Sequence, residues 1–151
     1  MRSSRRGFTL AELLIVIVIM GVVSVIALPK ATDMMTSLGV RSATQSVAAY
    51  LARTRAAAIQ TGRTATFVRS GNVVWVRVTR SGGAVDTIGR PRDLAAEHSV
   101  TLSGPDTIAY NPRGFAVALP ATTAIVVTRD SERDSVCIFG LGKISTTQCG
   151  F

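Results

Sequence analysis

An apolar run near the N-terminus constrains this chain more than any other feature. From Phe8 to Leu28 the run has 21 residues, and Glu12 is its only charged member. At about 1.5 Å per residue it would form a helix of roughly 31 Å, enough to cross a hydrocarbon core of about 30 Å. The three arginines at positions 2, 5 and 6 would hold their end in the cytoplasm. The sequence therefore predicts a membrane-spanning helix over residues 8–28, with the rest of the chain on the far side.

The composition leaves room for one further domain. The 151 residues carry a net charge of +8 and a mean hydropathy of +0.35, which is high for a soluble protein. Residues 7–151 hold 14 basic and 9 acidic residues, so +5 of the charge lies beyond the leading arginines. Two cysteines and one histidine argue against a disulfide-dense scaffold and against a metal cluster. We expect no metal and no other cofactor.

Glu12 distinguishes the run from an ordinary secretory signal peptide. Signal peptides have apolar regions of about 7–15 residues, whereas this run is longer and carries a carboxylate near its start. A carboxylate costs about 2.5–3.5 kcal/mol at the bilayer centre and less near the edge, so Glu12 should have a partner. Cleavage between Gly7 and Phe8 would create an α-amine one helical turn before Glu12. The same amine would lie level with Glu12 of an axially shifted copy.

These residues resemble a known processing signature. The segment Gly7-Phe8-Thr9-Leu10-Ala11-Glu12-Leu13-Leu14, after a short basic leader, resembles the prepilin cleavage and methylation site of type IV pilins and type II secretion pseudopilins. The resemblance implies that a prepilin peptidase removes residues 1–7, that Phe8 is N-methylated, and that the helix leaves the inner membrane to pack inside a filament. Gly21 and Pro29 fall where this family has helix-weakening residues, and a proline bends a helix.

A second helical pattern follows the apolar run. Residues 29–36 predict a bend or a weakened helix, and Val40 to Gln60 resumes an amphipathic pattern that ends at Gly62. Its apolar stripe, expected to face a sheet, consists of Ala43, Val47, Tyr50, Leu51, Thr54 and Ala58. Three arginines lie off its apolar stripe and are expected on a solvated face: Arg41, Arg53 and Arg55. The predicted domains are a leader (1–7), a transmembrane helix (8–28), an amphipathic continuation (29–61) and a β-rich periplasmic head (62–151).

Beyond Gly62 the apolar period changes to two, which is typical of strands. Residues 81–98, with several glycines and a proline, are predicted as a long loop or an irregular edge. The fold class is α+β: a long N-terminal helix, its first half in the membrane, packed on a small antiparallel sheet. The predicted strands are 64–69 and 72–79, which form a hairpin, then 99–103, 107–110, 114–119, 123–128, 135–139 and 143–147.

Cys137 and Cys149 could form a disulfide in the head. Their bond would close a loop of about a dozen residues, worth roughly 3 kcal/mol, and an extracytoplasmic location permits it. A redox or metal pair is the alternative, but CxxC spacing is missing.

The head also resembles one branch of this family. Tyr110-Asn111-Pro112-Arg113-Gly114 resembles the aromatic-x-Pro-x-Gly turn of GspH/FimT-type minor pilins, and Gly140 to Ile144 resembles the end of that group. The resemblance implies a GspH-type minor pseudopilin, a structural subunit of the type II protein secretion pseudopilus. Its partners would be other pseudopilins or pilins, the prepilin peptidase, the inner membrane and secreted cargo.

The alternative is a FimT-like minor pilin of a type IV pilus that binds DNA during uptake. Some relatives carry a Gly-Arg-x-Arg motif in their last strand, where this chain has Gly142-Lys143 with one basic residue. Gly89-Arg90-Pro91-Arg92 spells the motif, but earlier in the chain. Candidate DNA contacts are therefore Arg90, Arg92 and Lys143. An enzyme is not expected, because the sole histidine, His98, lies in a polar stretch beside Glu97, and nothing activates the plentiful Ser and Thr hydroxyls.

Overall fold

The computed structural model describes residues 8–117, 119, 122–146 and 149, except the side chains of residues 26–29 and 122. The chain divides into two compact units, Met1–Met35 and Thr36–Phe151. In chain order the elements are α1 (Leu10–Thr61), β1 (Ala65–Ser70), β2 (Val73–Thr79), β3 (Val85–Asp93), α2 (Leu94–His98), β4 (Thr101–Ser103), β5 (Thr107–Tyr110), β6 (Ala116–Val117), β7 (Thr122–Arg129), β8 (Glu132–Phe139) and β9 (Ile144–Ser145).

Helix α1 contributes residues to both units. It is helical at Gly21 and throughout residues 29–36, so the kink expected there stays a prediction. Within the described residues no single helix is long and apolar enough to span a membrane, whereas Leu10–Val25 and Lys30–Thr61 meet the requirement only when taken together. The transmembrane boundary at residue 28 likewise stays a prediction.

The second unit contains two antiparallel sheets. The first has the strand order β3-β2-β1-β5-β6, and the second has the order β4-β7-β8-β9. The hairpin of β1 and β2 is confirmed, with Phe67 opposite Val76. Gly71 occupies its turn with a φ of 58°, a conformation that glycine adopts without steric cost.

The second half of α1 supplies one wall of the head core. Ala43, Val47, Leu51 and Ala58 are fully buried, as the amphipathic stripe predicted. Thr54, also on this stripe, is buried too, and its hydroxyl donates to Tyr50 O at 2.7 Å, so its polar group is satisfied within the helix. The sheets contribute further buried side chains to the same cluster, including Phe67, Val74, Ile108, Tyr110, Ile125, Val127, Val136 and Ile138.

Of the two alternatives for residues 81–98, the irregular edge is confirmed and the long loop is wrong. This region contains strand β3, at the edge of the first sheet, and the short helix α2. Strand β3 pairs with β2 through a register shift between Val74 and Val76, which is the irregular part of the expected edge. Asp93 caps α2, because its Oδ1 accepts from Ala95 N at 2.9 Å and from Ala96 N at 3.2 Å.

Two of the late strands begin later than predicted. The strand expected over residues 114–119 begins only at Ala116, in β6, and the strand expected over 143–147 begins only at Ile144, in β9. Residues 118 and 147 lie outside the described residues. Both lie at sheet edges, next to turns that position Gly114 and Gly142 at a φ of 80°. A positive φ is incompatible with a strand, so each strand begins only after its glycine.

Candidate functional site

The first candidate surface is the N-terminal helix segment, defined as residues 8–25. Its described large apolar side chains are all exposed, from 45% at Val16 to 80% at Phe8. These side chains lie on every face of the helix, since aliphatic residues run almost without interruption from Leu13 to Val25. A helix that is apolar all round requires a membrane or the interior of an assembly around it.

Thr9 begins this helix, and sequence reasoning missed its role. Its Oγ1 accepts a hydrogen bond from Glu12 N at 3.3 Å, and its carbonyl accepts from Leu13 N at 3.3 Å. Thr9 to Glu12 spells the Ser/Thr-x-x-Glu pattern of a capping box, a signal that could have identified the cap. A carboxylate in the first turn is also stabilised by the helix dipole. Glu12 therefore has a local role beside any intermolecular one.

The predicted cleavage site lies at this same end. Phe8 is described, strongly exposed and located just before α1, whereas Gly7 lies outside the described residues. Glu12 is exposed and follows Phe8 by four residues, a rise of about 6 Å in a helix. The geometry thus leaves the Glu12 carboxylate accessible to a group from another molecule.

A disulfide joins Cys137 to Cys149, with their Cα atoms 5.5 Å apart. Cys137 is buried in β8, and Cys149 Sγ lies 3.4 Å from Ser135 Oγ. The bond ties the end of the described chain to β8 and leaves neither thiol available for redox or metal chemistry. Among the described residues, no group of three or more His, Cys, Asp or Glu side chains could hold a metal ion.

The candidate DNA contacts lie on different sheets. Arg90 and Arg92 belong to β3 in the first sheet, whereas Lys143 directly precedes β9 in the second. Arg92 donates from Nε to both carboxylate oxygens of Glu97, at 2.8 and 2.6 Å. This hydrogen bond raises the pKa of Arg92 and lowers that of Glu97. Arg92 is therefore already paired within the chain.

Glu97 also lies near His98, the residue considered above as a catalytic base. His98 Nε2 and Glu97 Oε2 are 3.8 Å apart, as expected for a pair of neighbouring side chains. The His98 carbonyl accepts from Arg129 Nη1 at 3.1 Å, which ties α2 to the end of β7.

The turn after β5 is built around Asn111. Its Oδ1 accepts from Arg113 N and Phe115 N, each at 3.0 Å, and its carbonyl accepts from Gly114 N at 2.9 Å. Tyr110, which precedes this turn, is fully buried. Burial raises the pKa of Tyr110 to about 12, although the nearby charge of Arg55 acts in the opposite direction.

Arg55 contradicts the expectation of a solvated face, although Arg41 and Arg53 are exposed as expected. Arg55 is half-buried, and its Nε is fully buried without a hydrogen-bond partner among the described residues. A Cβ atom placed on Gly114 would lie 3.1 Å from this nitrogen, and one on Gly142 would lie 3.3 Å from it. Two glycine turns thus enclose the guanidinium, a contact that no sequence pattern indicated.

With this geometry established, comparison with known proteins identifies the family. The model of the prokaryotic N-terminal methylation motif matches residues 2–28, and the model of type II transport protein GspH matches residues 43–142. The chain belongs to the GspH family. Its members are structural subunits of the pilin type rather than enzymes, and they assemble with other pilins. No curated protein matches the chain significantly.

Solved structures show the same fold. Two crystal structures of the type IV minor pilin FimU from Pseudomonas aeruginosa (strain PAO1) align with TM-scores of 0.60 and 0.58, each at 15% identity. Each alignment covers 72% of this chain, and they cover 88% and 92% of the FimU chains. At this identity the similarity concerns the fold. The GspH-family chain therefore has the predicted α+β pilin fold and is a minor pseudopilin or pilin.

Proposed function

We propose that this GspH-family chain is a minor pseudopilin of a type II protein secretion system, a structural subunit of its pseudopilus. A prepilin peptidase cleaves it between Gly7 and Phe8, and Phe8 is then N-methylated. Before assembly the chain spans the inner membrane once, with its N-terminus in the cytoplasm and its head in the periplasm. The observation that supports this most directly is the N-terminal helix segment, whose exposed apolar surface contains one carboxylate, that of Glu12.

Glu12 would set the position of one subunit relative to the next. When copies or related subunits stack with an axial shift, the α-amine of one Phe8 comes level with the Glu12 carboxylate of its neighbour. Attraction between the two charges is strong in the apolar interior of a filament, because the local dielectric is low. A subunit shifted by another amount would bury both charges unpaired, at a large desolvation cost.

Mass spectrometry of the mature N-terminus tests this proposal. The expected chain begins at Phe8 and carries one additional methyl group on its α-amine. A chain that retains Met1, or one that begins at Leu28 after signal-peptidase cleavage, would contradict it.

DNA binding, as in a FimT-like minor pilin, is a second candidate. Arg53 lies beside Gly89, since a Cβ placed on this glycine would be 3.4 Å from Arg53 Nη1, and Arg90 is the next residue. Both arginines are exposed, and neither forms a salt bridge within the described part of the chain. Exposed guanidinium groups without a counterion in the described part of the chain favour contact with phosphates.

Duplex retention by the purified protein tests this second function. Arg53→Ala and Arg90→Ala should each remove about one phosphate contact. The slope of log K against log salt concentration should then change by about 0.9 in each variant. Arg92→Ala is the matched control and should have a smaller effect, because Glu97 already neutralises that side chain. Absence of binding by the parent at low salt would remove the DNA function, and so would Arg53→Ala and Arg90→Ala variants that bind with the same salt dependence as the parent. Secretion by a strain that lacks the chain then tests the pseudopilin role itself.

A further inference from the structure

Exposed apolar side chains of the head concentrate near the C-terminal end of α1. Ile59 is 51% exposed and Leu141 is 75% exposed, and the two line one groove of about 580 Å³. We call it the α1-end groove, lined from α1 by Arg55, Ala56 and Ile59 and from the β8–β9 connection by Leu141 and Lys143. Grouped apolar side chains on a small head mark an interaction surface more often than scattered ones do.

The chain builds this surface through a close contact of two turns. Ala116 N donates to Gly140 O at 3.2 Å, which joins the turn after β5 to the turn after β8. A Cβ atom on Gly142 would overlap Gly114 O, so only glycine permits this approach. A Cβ atom on Gly114 would lie 2.9 Å from Ile59 Cδ1, so the turn after β5 also packs against Ile59.

The groove carries positive charge without a carboxylate of its own. Arg55 and Lys143 line it, no acidic residue does, and neither cation forms a salt bridge in the part of the chain that the structure describes. Four arginines of the head have counterions within the chain, in the pairs Arg69–Asp106, Arg80–Asp86, Arg92–Glu97 and Arg129–Asp130. The charge of the groove is thus complementary to an anionic group from outside.

Arg55 is prepared for such a group. Arg55 Nε packs against the turns at Gly114 and Gly142, a contact that restricts its side chain and so lowers the conformational freedom lost on binding. Its rigid fork matches a carboxylate geometrically. Lys143 is exposed at the groove, and its ammonium lies 5.7 Å from the centre of the Phe139 ring.

We propose that the α1-end groove binds a segment of another pilin-type subunit that presents a carboxylate beside an apolar side chain. The apolar side chain would pack between Ile59 and Leu141, and the carboxylate would lie between Arg55 and Lys143. This inference rests on the proposed function, since it requires neighbouring subunits. A lipid surface is the alternative occupant, and the test below distinguishes it.

Photo-crosslinking in the producing cell tests this interaction. The full chain carries a benzophenone amino acid in place of Leu141, and a matched probe replaces Val85, which is 59% exposed on β3 outside the groove. The expected result is an adduct from position 141 with a different pilin-type subunit, through a peptide that contains Asp or Glu next to an apolar residue. Position 85 should not form this adduct.

Charge reversal sharpens the test. Lys143→Glu should reduce the adduct about tenfold, and replacing the crosslinked carboxylate of the partner by lysine should restore it. Arg77→Glu, on an exposed residue of β2, is the matched control and should leave the yield unchanged. Leu141 and Lys143 are exposed, so these variants keep the core intact, whereas a change at half-buried Arg55 would mix binding with folding.

The outcomes separate the two proposals. Suppose first that the chain begins at Phe8 and enters filaments. The groove inference is then overturned if position 141 forms adducts only with a second copy of this chain, only with lipid, or not at all. A chain that is neither cleaved nor incorporated contradicts the proposed function, and the groove inference with it. Equal adduct yields from the parent and the Lys143→Glu chain overturn the role of charge in this inference.

Discussion

The two halves of α1 differ in where their apolar side chains are buried. In the N-terminal helix segment, apolar side chains cover every face and are exposed. In the second half they form one stripe, and this stripe is buried by the sheets of the head. The second half finds its apolar partner within its own chain, whereas the first half must find one in a membrane or in other subunits. The head should therefore fold as one molecule, and the segment should matter only in an assembly.

Glu12→Gln should have the largest effect of the variants considered, and this effect should be confined to filament assembly. The neutral side chain would leave the α-amine of a neighbouring subunit buried without its counterion, at about 3–5 kcal/mol. We expect incorporation into filaments to fall by at least about a hundredfold, while the unfolding of the head is unchanged. Sheared-filament yield measures the effect, and Asp33→Asn, an exposed acidic residue of α1 outside the segment, is the control. Filament yields equal to the parent's would refute the pairing.

Leu51→Ala and Leu14→Ala shorten the same type of side chain in the two halves of α1. Leu51 is fully buried, so its loss should destabilise the head by about 2–5 kcal/mol through lost burial and a cavity. Leu14 is 55% exposed, and its loss should leave the unfolding free energy of the isolated subunit unchanged. Denaturant unfolding in detergent, followed by the fluorescence of Trp75, measures both. Equal effects would show that the two halves do not differ as described.

The disulfide supports the head alone. Replacing both Cys137 and Cys149 by alanine should destabilise it by about 3 kcal/mol, because the unfolded chain regains the freedom of a loop closed over a sequence separation of 12. Thermal unfolding with and without reductant measures this, and reductant should no longer affect the double variant. If reduction left the parent's unfolding temperature unchanged, the bond would contribute nothing to the stability of the head.

Tyr110 should produce the smallest effect, one limited to alkaline pH. Burial raises its pKa to about 12, so above pH 10 the unfolded chain loses the phenol proton before the folded chain does. This contribution to stability is complete below pH 10 and is lost as the pH rises towards 12. At pH 11 the loss is about 1.4 kcal/mol. Tyr110→Phe should remove this pH dependence, and Tyr50→Phe should retain it. Parallel stability curves for the parent and Tyr110→Phe would show that Tyr110 is not buried as described.

Sequence patterns predicted the elements that depend on local periodicity. The buried stripe at Val47 and Leu51 and the hairpin around Gly71 belong to this class. The sequence does not distinguish β3 from a loop, because Gly89 and Pro91 have low strand propensity, and because eight of its nine residues are exposed. Its structure depends on pairing with β2, a partner that its own residues do not specify.

By itself, the sequence determined where the chain must leave water, since a long apolar run with one carboxylate is a property of composition and order. It also determined the resemblance to a prepilin processing site at Gly7-Phe8 and the α+β fold class. Only the tertiary structure decided that Arg92 is paired with Glu97 and that Arg55 lies between two glycine turns. Arg55 contacts turns from distant parts of the chain, whereas Arg92 and Glu97 are five residues apart and meet because α2 directly follows β3. The free energy of both contacts depends on distance and burial, neither of which a local pattern encodes.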